Sequence, residues 1–230
     1  MTQSPSQTQT AECFEQIVNN RRSIRGFKPD PVDPEILNKI FQLAQRAPSN
    51  CNTQPWQIHV ASGESLETLR TAMPANTMQA KFTLDFPYEP KYHGVYQDRQ
   101  YDAANQMYGS LNIERADKAA RNEVFMRNYT FFGAPHVAFL FLPEPFGLRE
   151  AADVGLYAQT LMLALTAFGV GSIPQTSLSY HADLVREVLN INPSNKLIFG
   201  ISFGYENTED PINNTRMGRA ELSETTVFHN

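Results

Sequence analysis

The apolar positions fall into runs of two periods, one helical and one extended. Phe14, Ile17 and Val18 have the i, i+3, i+4 spacing of a short amphipathic helix that stops near Asn19-Asn20. Asp33 as N-cap and Pro34 at the first helical position announce a second helix. Its apolar face runs through Ile36, Leu37, Ile40, Phe41, Leu43 and Ala44, and Pro48 ends it. Residues 57–61 predict a strand, Gly63-Glu64 a turn and residues 65–73 a further helix. Helical spacing returns over about 111–127. The unbroken apolar run 136–142, between Pro135 and Pro143, predicts a buried strand. A long apolar helix over 150–168 is closed by Gly169 and Gly171, followed by a helix over 181–190 and an alternating strand over 196–205.

The remaining stretches carry no period. Residues 1–10 are rich in Ser, Thr and Gln and are expected to fray, and the tail after Glu206 is polar. Over 74–110, Pro87, Pro90, Gly94 and many tyrosines predict a long lid-like excursion rather than a framework element. Strands scattered among longer helices predict one α+β domain spanning 1–230.

Composition narrows the partners. At 230 residues the chain buries a substantial core unaided, and a net charge of -5 removes the basic footprint of a nucleic-acid binder. A small molecule becomes the default partner. The apolar stretch 151–170 contains Asp153, Gln159, Thr160 and Thr166, so it reads as a buried helix and not a membrane span. Cys13 and Cys51 form no CxxC pair, and MTQSPSQTQT has neither a basic region nor an apolar run, which points to the cytoplasm. His59, His93, His136, His181 and His229 stand singly, without a carboxylate at ligand spacing, so no metal is expected.

Four constellations remain. Arg21, Arg22, Ser23 and Arg25 place three guanidinium groups and a hydroxyl in five positions of an acidic chain. That is the chemistry of a phosphate monoester site, and equally of a basic turn favoured by a helix C-terminus. The loop Pro48-Ser49-Asn50-Cys51-Asn52-Thr53-Gln54, followed by Trp56, offers alternating donors and acceptors to a flat heterocycle such as a flavin or a purine. The same composition also describes an Asx-rich turn that satisfies its own backbone, with Trp56 in the core. Gly169 and Gly171 precede Pro174-Gln175-Thr176-Ser177. They either allow a close approach to the backbone or simply cap the helix, and they make no dinucleotide fingerprint. Arg216 and Arg219 lie in the tail, where they complete a phosphate site or face solvent.

In this order, RRSIRGF, APSNCNTQPW, GVGSIPQTS and NNTRMGRAEL resemble the FMN-dependent nitroreductase family, with a weaker similarity to its nitrobenzoate- and nitroarene-reducing branch. The resemblance implies an α+β fold, a central mixed sheet flanked by helices in an interlocked homodimer with flavins at the interface. It implies that Arg21, Arg22 and Ser23 hold the FMN phosphate and that Arg25 faces the pyrimidine edge of the ring. Pro48, Ser49, Asn50 and Asn52 match a loop laid along the partner's flavin, and Pro174, Gln175, Thr176 and Ser177 match the segment whose backbone approaches the flavin N5. Arg219, with Arg216 as a second, matches a C-terminal phosphate ligand. Two departures stand out: many relatives have Glu-Gly at Thr176-Ser177 and Lys-x-Arg at Met217-Gly218-Arg219. The implied activity is ping-pong reduction of nitroaromatics, quinones or related acceptors by NADH or NADPH, with no catalytic side chain and with Tyr88 to Tyr108 lining the acceptor pocket. Flavin reduction, reductive dehalogenation or non-catalytic flavin binding are the alternatives on the same scaffold.

Overall fold

The computed structural model describes residues 6–229. Its framework is a four-stranded sheet: β1 (Gln57–Ser62), β2 (His136–Pro143), β3 (Gly171–Gln175) and β4 (Asn195–Gly204), in the order β1-β2-β4-β3. Every pairing between these strands is antiparallel, which corrects the expected mixed sheet. Two isolated parallel bridges accompany these pairings, one from Ser23 to Ser172 of β3 and one from Thr83 to His181.

Alternation along β2 explains its unbroken apolar sequence. Val137, Phe139 and Phe141 pack into one core, while Ala138, Leu140 and Leu142 pack into the other, so both faces are covered. The first core is closed by α3 (Gly63–Met78) and α7 (Ala182–Leu189), the second by α2 (Pro34–Ala44) and α6 (Leu148–Ala167). Opposite Leu140 and Phe141 the register slips, pairing Phe199 and then Leu197 and leaving Ile198 as an extra residue. That bulge switches the side-chain parity, so Leu197 enters the first core whereas Ile201 and Phe203 enter the second.

Helix ends follow local chemistry, with some departures from the periodic reading. Asp33 accepts from the amides of Glu35 and Ile36 and starts α2 where expected. The first helix, α1 (Gln7–Asn20), begins earlier than its apolar spacing, because Ser6 and Gln9 form a capping box. The expected fraying is therefore overturned for 6–10, and residues 1–5 lie outside the described residues. Helix α3 starts at Gly63, where a turn was expected, and runs through Pro74 to Met78. The 74–110 excursion also contains α4 (Val95–Ser110), whose residues are all at least partly exposed. With no buried stripe there was no period to detect. Conversely, α5 (Lys118–Met126) is shorter than its expected span. Residues 79–94 are fixed at two points: Thr83 N–H donates to the Tyr180 carbonyl (2.8 Å), and Asp85 is gripped by both Nη atoms of Arg186. No helix among the described residues is long and apolar enough to cross a membrane, and no group of three or more His, Cys, Asp or Glu is gathered for a metal.

Two buried histidines lock elements together in the neutral form. His136 Nε2 accepts from the Val32 amide (2.9 Å), so Nδ1 carries the hydrogen and bonds Ser62 Oγ (2.6 Å) while the ring stacks on Phe203. Burial lowers the pKa of His136, and of His181, below the ordinary imidazole value. The unfolded chain therefore binds protons that the folded chain refuses as pH falls below about 6.5, and the stability present above that value is lost on acidification. The free energy of urea unfolding is expected to decline from pH 7 to pH 5, and His136→Gln to flatten part of that decline. Identical slopes for wild type and variant would contradict this.

Candidate functional site

Arg21 to Arg25 leave α1 as an extended segment running beside β3. The Ile24 amide donates to the Ser172 carbonyl (3.0 Å), and a Cβ at Gly171 would lie 2.7 Å from Ile24 Cγ1. The close approach that Gly171 permits is thus made by the chain's own Ile24. Gly169, at φ +72°, is the left-handed cap that ends α6. The chain returns after β4 through residues 206–219, and the two segments, with Gln159, Met162 and Thr166 of α6 and Pro174 of β3, line a cleft of about 1120 Å³.

The arginines in this cleft have different duties. Arg22 is committed to structure: its Nη2 grips both oxygens of Glu206 and its Nη1 donates to the Asn213 carbonyl (3.1 Å). Its guanidinium is therefore withdrawn from the expected trio of anion ligands. Arg21 has no carboxylate partner among the described residues, and burial followed by repulsion from Arg219 lowers its pKa. Arg216 and Arg219 donate only to backbone carbonyls, Arg216 to Asn213 (2.7 Å) and Arg219 to Gly218 (2.8 Å). Arg25 lies largely out of water, which lowers its pKa, and touches only the Ser23 carbonyl at 3.4 Å. Cations gathered in one cleft, with Glu206 there already committed to Arg22, suit an anionic ligand, and guanidinium groups bind a phosphate strongly.

The other expected site residues divide. Pro174 lines the cleft, whereas the Gln175 side chain turns inward to Ser202 and to the Asn128 carbonyl (3.0 Å). Thr176 is exposed, and Ser177 keeps a buried hydroxyl without a partner among the described residues. Pro48, Ser49, Asn50 and Asn52 do not line the cleft. Their loop is tied to the other end of α6, where the Asn50 amide donates to the buried Asp153 carboxylate (3.1 Å). From Asp153 to the cleft residues of α6 is roughly 9 to 20 Å at the helical rise of 1.5 Å per residue. The loop is nevertheless preformed: Cys51, Asn52 and Gln54 all hold positive φ (49°, 55° and 48°), and Ser49 Oγ accepts from the Gln54 amide (2.9 Å). Trp56 is buried against Tyr157 with its indole N–H on Gln45 (3.1 Å), so it belongs to the core and offers no face to a ligand. Tyr88 packs on Tyr180 (5.7 Å), while Tyr96 and Tyr101 face solvent and Tyr108 lies under Arg121.

Three further residues hold the segments in place, of which Asn213 falls within the NNTRMGRAEL motif and the other two within none. Glu206 neutralises Arg22, Asp210 pairs with Arg127, and Asn213 bonds the backbone at Arg25 and Gly26. A Cβ at Gly26 would lie 2.5 Å from Asp210 Oδ2, so glycine is required there for that pair to close.

A helix-flanked antiparallel sheet with an anion-seeking cleft at its edge defines an α+β ligand-binding protein. The chain belongs to the nitroreductase family, whose model matches residues 18–205. It is 43% identical over 219 residues to nitroreductase NfnB of Mycolicibacterium smegmatis, covering 95% of this chain and 93% of that one. It is 32% identical over 217 residues to 4-nitrobenzoate reductase of Pseudomonas putida, covering 94% and 95%. The crystal structure of the FMN-dependent nitroreductase NfnB from Mycobacterium smegmatis in complex with NADPH matches at a TM-score of 0.92 and 42% identity, covering 96% of this chain and all 100% of that one.

The division of labour among the arginines has a measurable consequence. Arg22 and Glu206 expose only 27% and 23% of their side chains, so Arg22→Ala leaves a mostly buried carboxylate unpaired. It should lower stability by about 1–3 kcal/mol, the range for stranding a buried charged hydrogen-bonding group. Arg21→Ala removes no ion pair and relieves repulsion from Arg219, so it should leave the melting temperature of the ligand-free protein unchanged or raised. A larger loss of stability at Arg21 than at Arg22 would reverse the assignment.

Proposed function

We propose that this protein is an FMN-dependent NAD(P)H oxidoreductase that reduces nitroaromatic, quinone or related electron-poor small molecules. The observation that carries the reading is the set Arg21, Arg216 and Arg219, three guanidinium groups in one cleft without a carboxylate partner among the described residues. Three such groups match one terminal phosphate, and the FMN and NADPH of the NfnB relative supply the ligand classes. When bound, FMN supplies the redox step, accepting hydride from the nicotinamide and passing electrons to the acceptor.

The chain's own part is binding and orientation. Arg21, Ser23, Arg216 and Arg219 hold the phosphate, while Arg22 holds the segment that carries them through Glu206. Arg25 would lie toward the pyrimidine edge of the ring, where its charge would favour the form carrying added negative charge. Pro174, which lines the cleft, and the backbone of Gln175, Thr176 and Ser177 beyond it would supply the wall toward N5. With Thr and Ser at 176 and 177, that wall offers backbone donors and hydroxyls but no carboxylate. Donor and acceptor would use the same opening in turn, the ping-pong order; the expected lining by Tyr88 to Tyr108 is not met in this cleft, and Tyr88 sits beside Tyr180 in a separate pocket.

The loop of Pro48, Ser49, Asn50 and Asn52 acts on the flavin of a second copy in a homodimer. Its strained, preformed shape, its separation from the cleft of its own subunit, and the exposed apolar side chains Phe14 and Val18 on α1 and Leu156 on α6 support this arrangement. None of the residues of α1 is buried within the subunit, so that helix gains its packing from a partner.

Protein purified without added flavin should be yellow and release FMN, not FAD, on heating. Anaerobic stopped flow should show bleaching by NADH or NADPH and recolouring by a nitroaromatic acceptor. A protein that binds FMN but is bleached by neither nicotinamide is a flavin binder rather than an enzyme, and one that binds no FMN ends the reading. Arg21→Ala should weaken FMN binding by about 1.5–3 kcal/mol, the value of one charged hydrogen-bonding partner.

Assembly is tested separately. Analytical ultracentrifugation of the FMN-loaded protein should show a dimer, and an active FMN-loaded monomer would remove Asn50 and Asn52 from the partner's flavin.

A further inference from the structure

Arg25 presents a physical problem that the fold must solve. It is a largely desolvated cation with no carboxylate partner among the described residues, and its own guanidinium makes one long contact, 3.4 Å to the Ser23 carbonyl. A flexible side chain held by no ion pair takes its direction from its backbone and its packing. At Arg25 the backbone is gripped on both sides. The Arg25 amide donates to Asn213 Oδ1 (2.7 Å), the Arg25 carbonyl accepts from Arg127 Nη2 (2.7 Å), and the Gly26 carbonyl accepts from Asn213 Nδ2 (2.8 Å).

Asn213 is suited to this grip and is fully used by it. Its side chain is an acceptor on one arm and a donor on the other, matching an N–H and a C=O one residue apart, and its second amide hydrogen reaches the Asn207 carbonyl (2.9 Å). It is 2% exposed. Its own carbonyl is shared by Arg22 Nη1 (3.1 Å) and Arg216 Nη1 (2.7 Å). One residue thus fixes the peptide that carries Arg25 and spaces an arginine of the first segment against one of the last.

We propose that Asn213 is the positioning residue that aims Arg25 into the cofactor cleft and thereby sets the electron affinity of the bound flavin. It touches neither cofactor nor substrate in this role; it acts through Arg25, with Arg127 as the second half of the clamp. The inference rests on the FMN reading above and adds to it a residue 188 positions away from the arginine it controls.

The test is a double-mutant cycle read by spectroelectrochemical titration of the FMN-loaded protein. Arg25→Gln should lower the midpoint potential. Asn213→Ser, whose shorter side chain cannot span both the Arg25 amide and the Gly26 carbonyl, should lower it in the same direction and by less. In the Arg25→Gln background, Asn213→Ser should shift it no further. A residue that only supports the fold would lower the melting temperature and leave the potential of the loaded protein unchanged, and that outcome overturns the proposal. So does an equal shift in both backgrounds, which would mean that Asn213 does not act through Arg25. If Asn213→Ser does not accumulate as folded protein, Arg127→Lys loosens the same peptide from its carbonyl side, keeps the charge opposite Asp210, and carries the same expectations. A wild-type protein that binds no FMN defeats the functional reading itself. Failure of the cycle with FMN bound and Arg25→Gln shifted defeats only the role of Asn213, and an unshifted Arg25→Gln removes Arg25 and Asn213 together.

Discussion

A guanidinium gripped by both oxygens of a carboxylate, Arg22 on Glu206, joins segments 184 residues apart in the chain. At that point the two segments share only a short stretch of backbone pairing, the Lys28 amide on the Tyr205 carbonyl (2.8 Å) and the Asn207 amide on the Gly26 carbonyl (2.9 Å), on either side of an isolated Phe27–Glu206 bridge. The ion pair, the Asn213 clamp and the Asp210–Arg127 pair reinforce that short pairing. With its partners about three-quarters buried, the Arg22 pair is unlike the exposed pairs that contribute little, and removing either member strands a charge in a poorly hydrated place. The cleft exists because these contacts hold the arginine-bearing segments against β3 and α6.

The same contacts explain how an acidic chain tolerates a concentration of positive charge. Where Arg22, Arg127 and Arg186 are neutralised by Glu206, Asp210 and Asp85, the pairs serve the fold. Where Arg21, Arg25, Arg216 and Arg219 lack carboxylates among the described residues, all four line one cleft. Bringing Arg21 near Arg219 is unfavourable in the bare protein, and burial adds to it. A bound anion would return that unfavourable energy, which is preorganisation in electrostatic form.

How much of this was legible in the sequence depends on whether a residue's job is periodic, local or relational. Helices and strands with a buried stripe or face, such as α2, β2 and α6, were readable because burial imposes its period on the residues. Helix α4 was not, because it buries nothing and so carries no period, and the start of α1 was hidden in a polar stretch whose cap, Ser6 with Gln9, is a local signal easily passed over. Strand direction was beyond reach: a 2-residue period is the same in parallel and antiparallel sheets. In the site, arginines were conspicuous by type, yet nothing in RRSIRGF separates the Arg22 that pairs from the Arg21 that does not. That distinction lives in Glu206. Gly26 is similar, since its lack of a Cβ matters only because Asp210 arrives there.

The loop at 49–54 shows the complementary limit. Its composition reads equally as a self-satisfied Asx turn and as a ligand platform, and the structure contains the first without excluding the second. Ser49 and Asp153 satisfy two of its amides, but a turn that only satisfied itself would have no reason to keep three non-glycine residues at positive φ in four positions. Such strain persists where surrounding contacts over-determine it, and here the over-determining contact is a buried carboxylate on the long helix that also floors the cleft. One rigid helix therefore carries the anchor of the loop near its start and the wall of the cleft nearer its end. In the homodimer proposed above, two such helices related by a two-fold axis would carry each loop toward the other subunit's cleft.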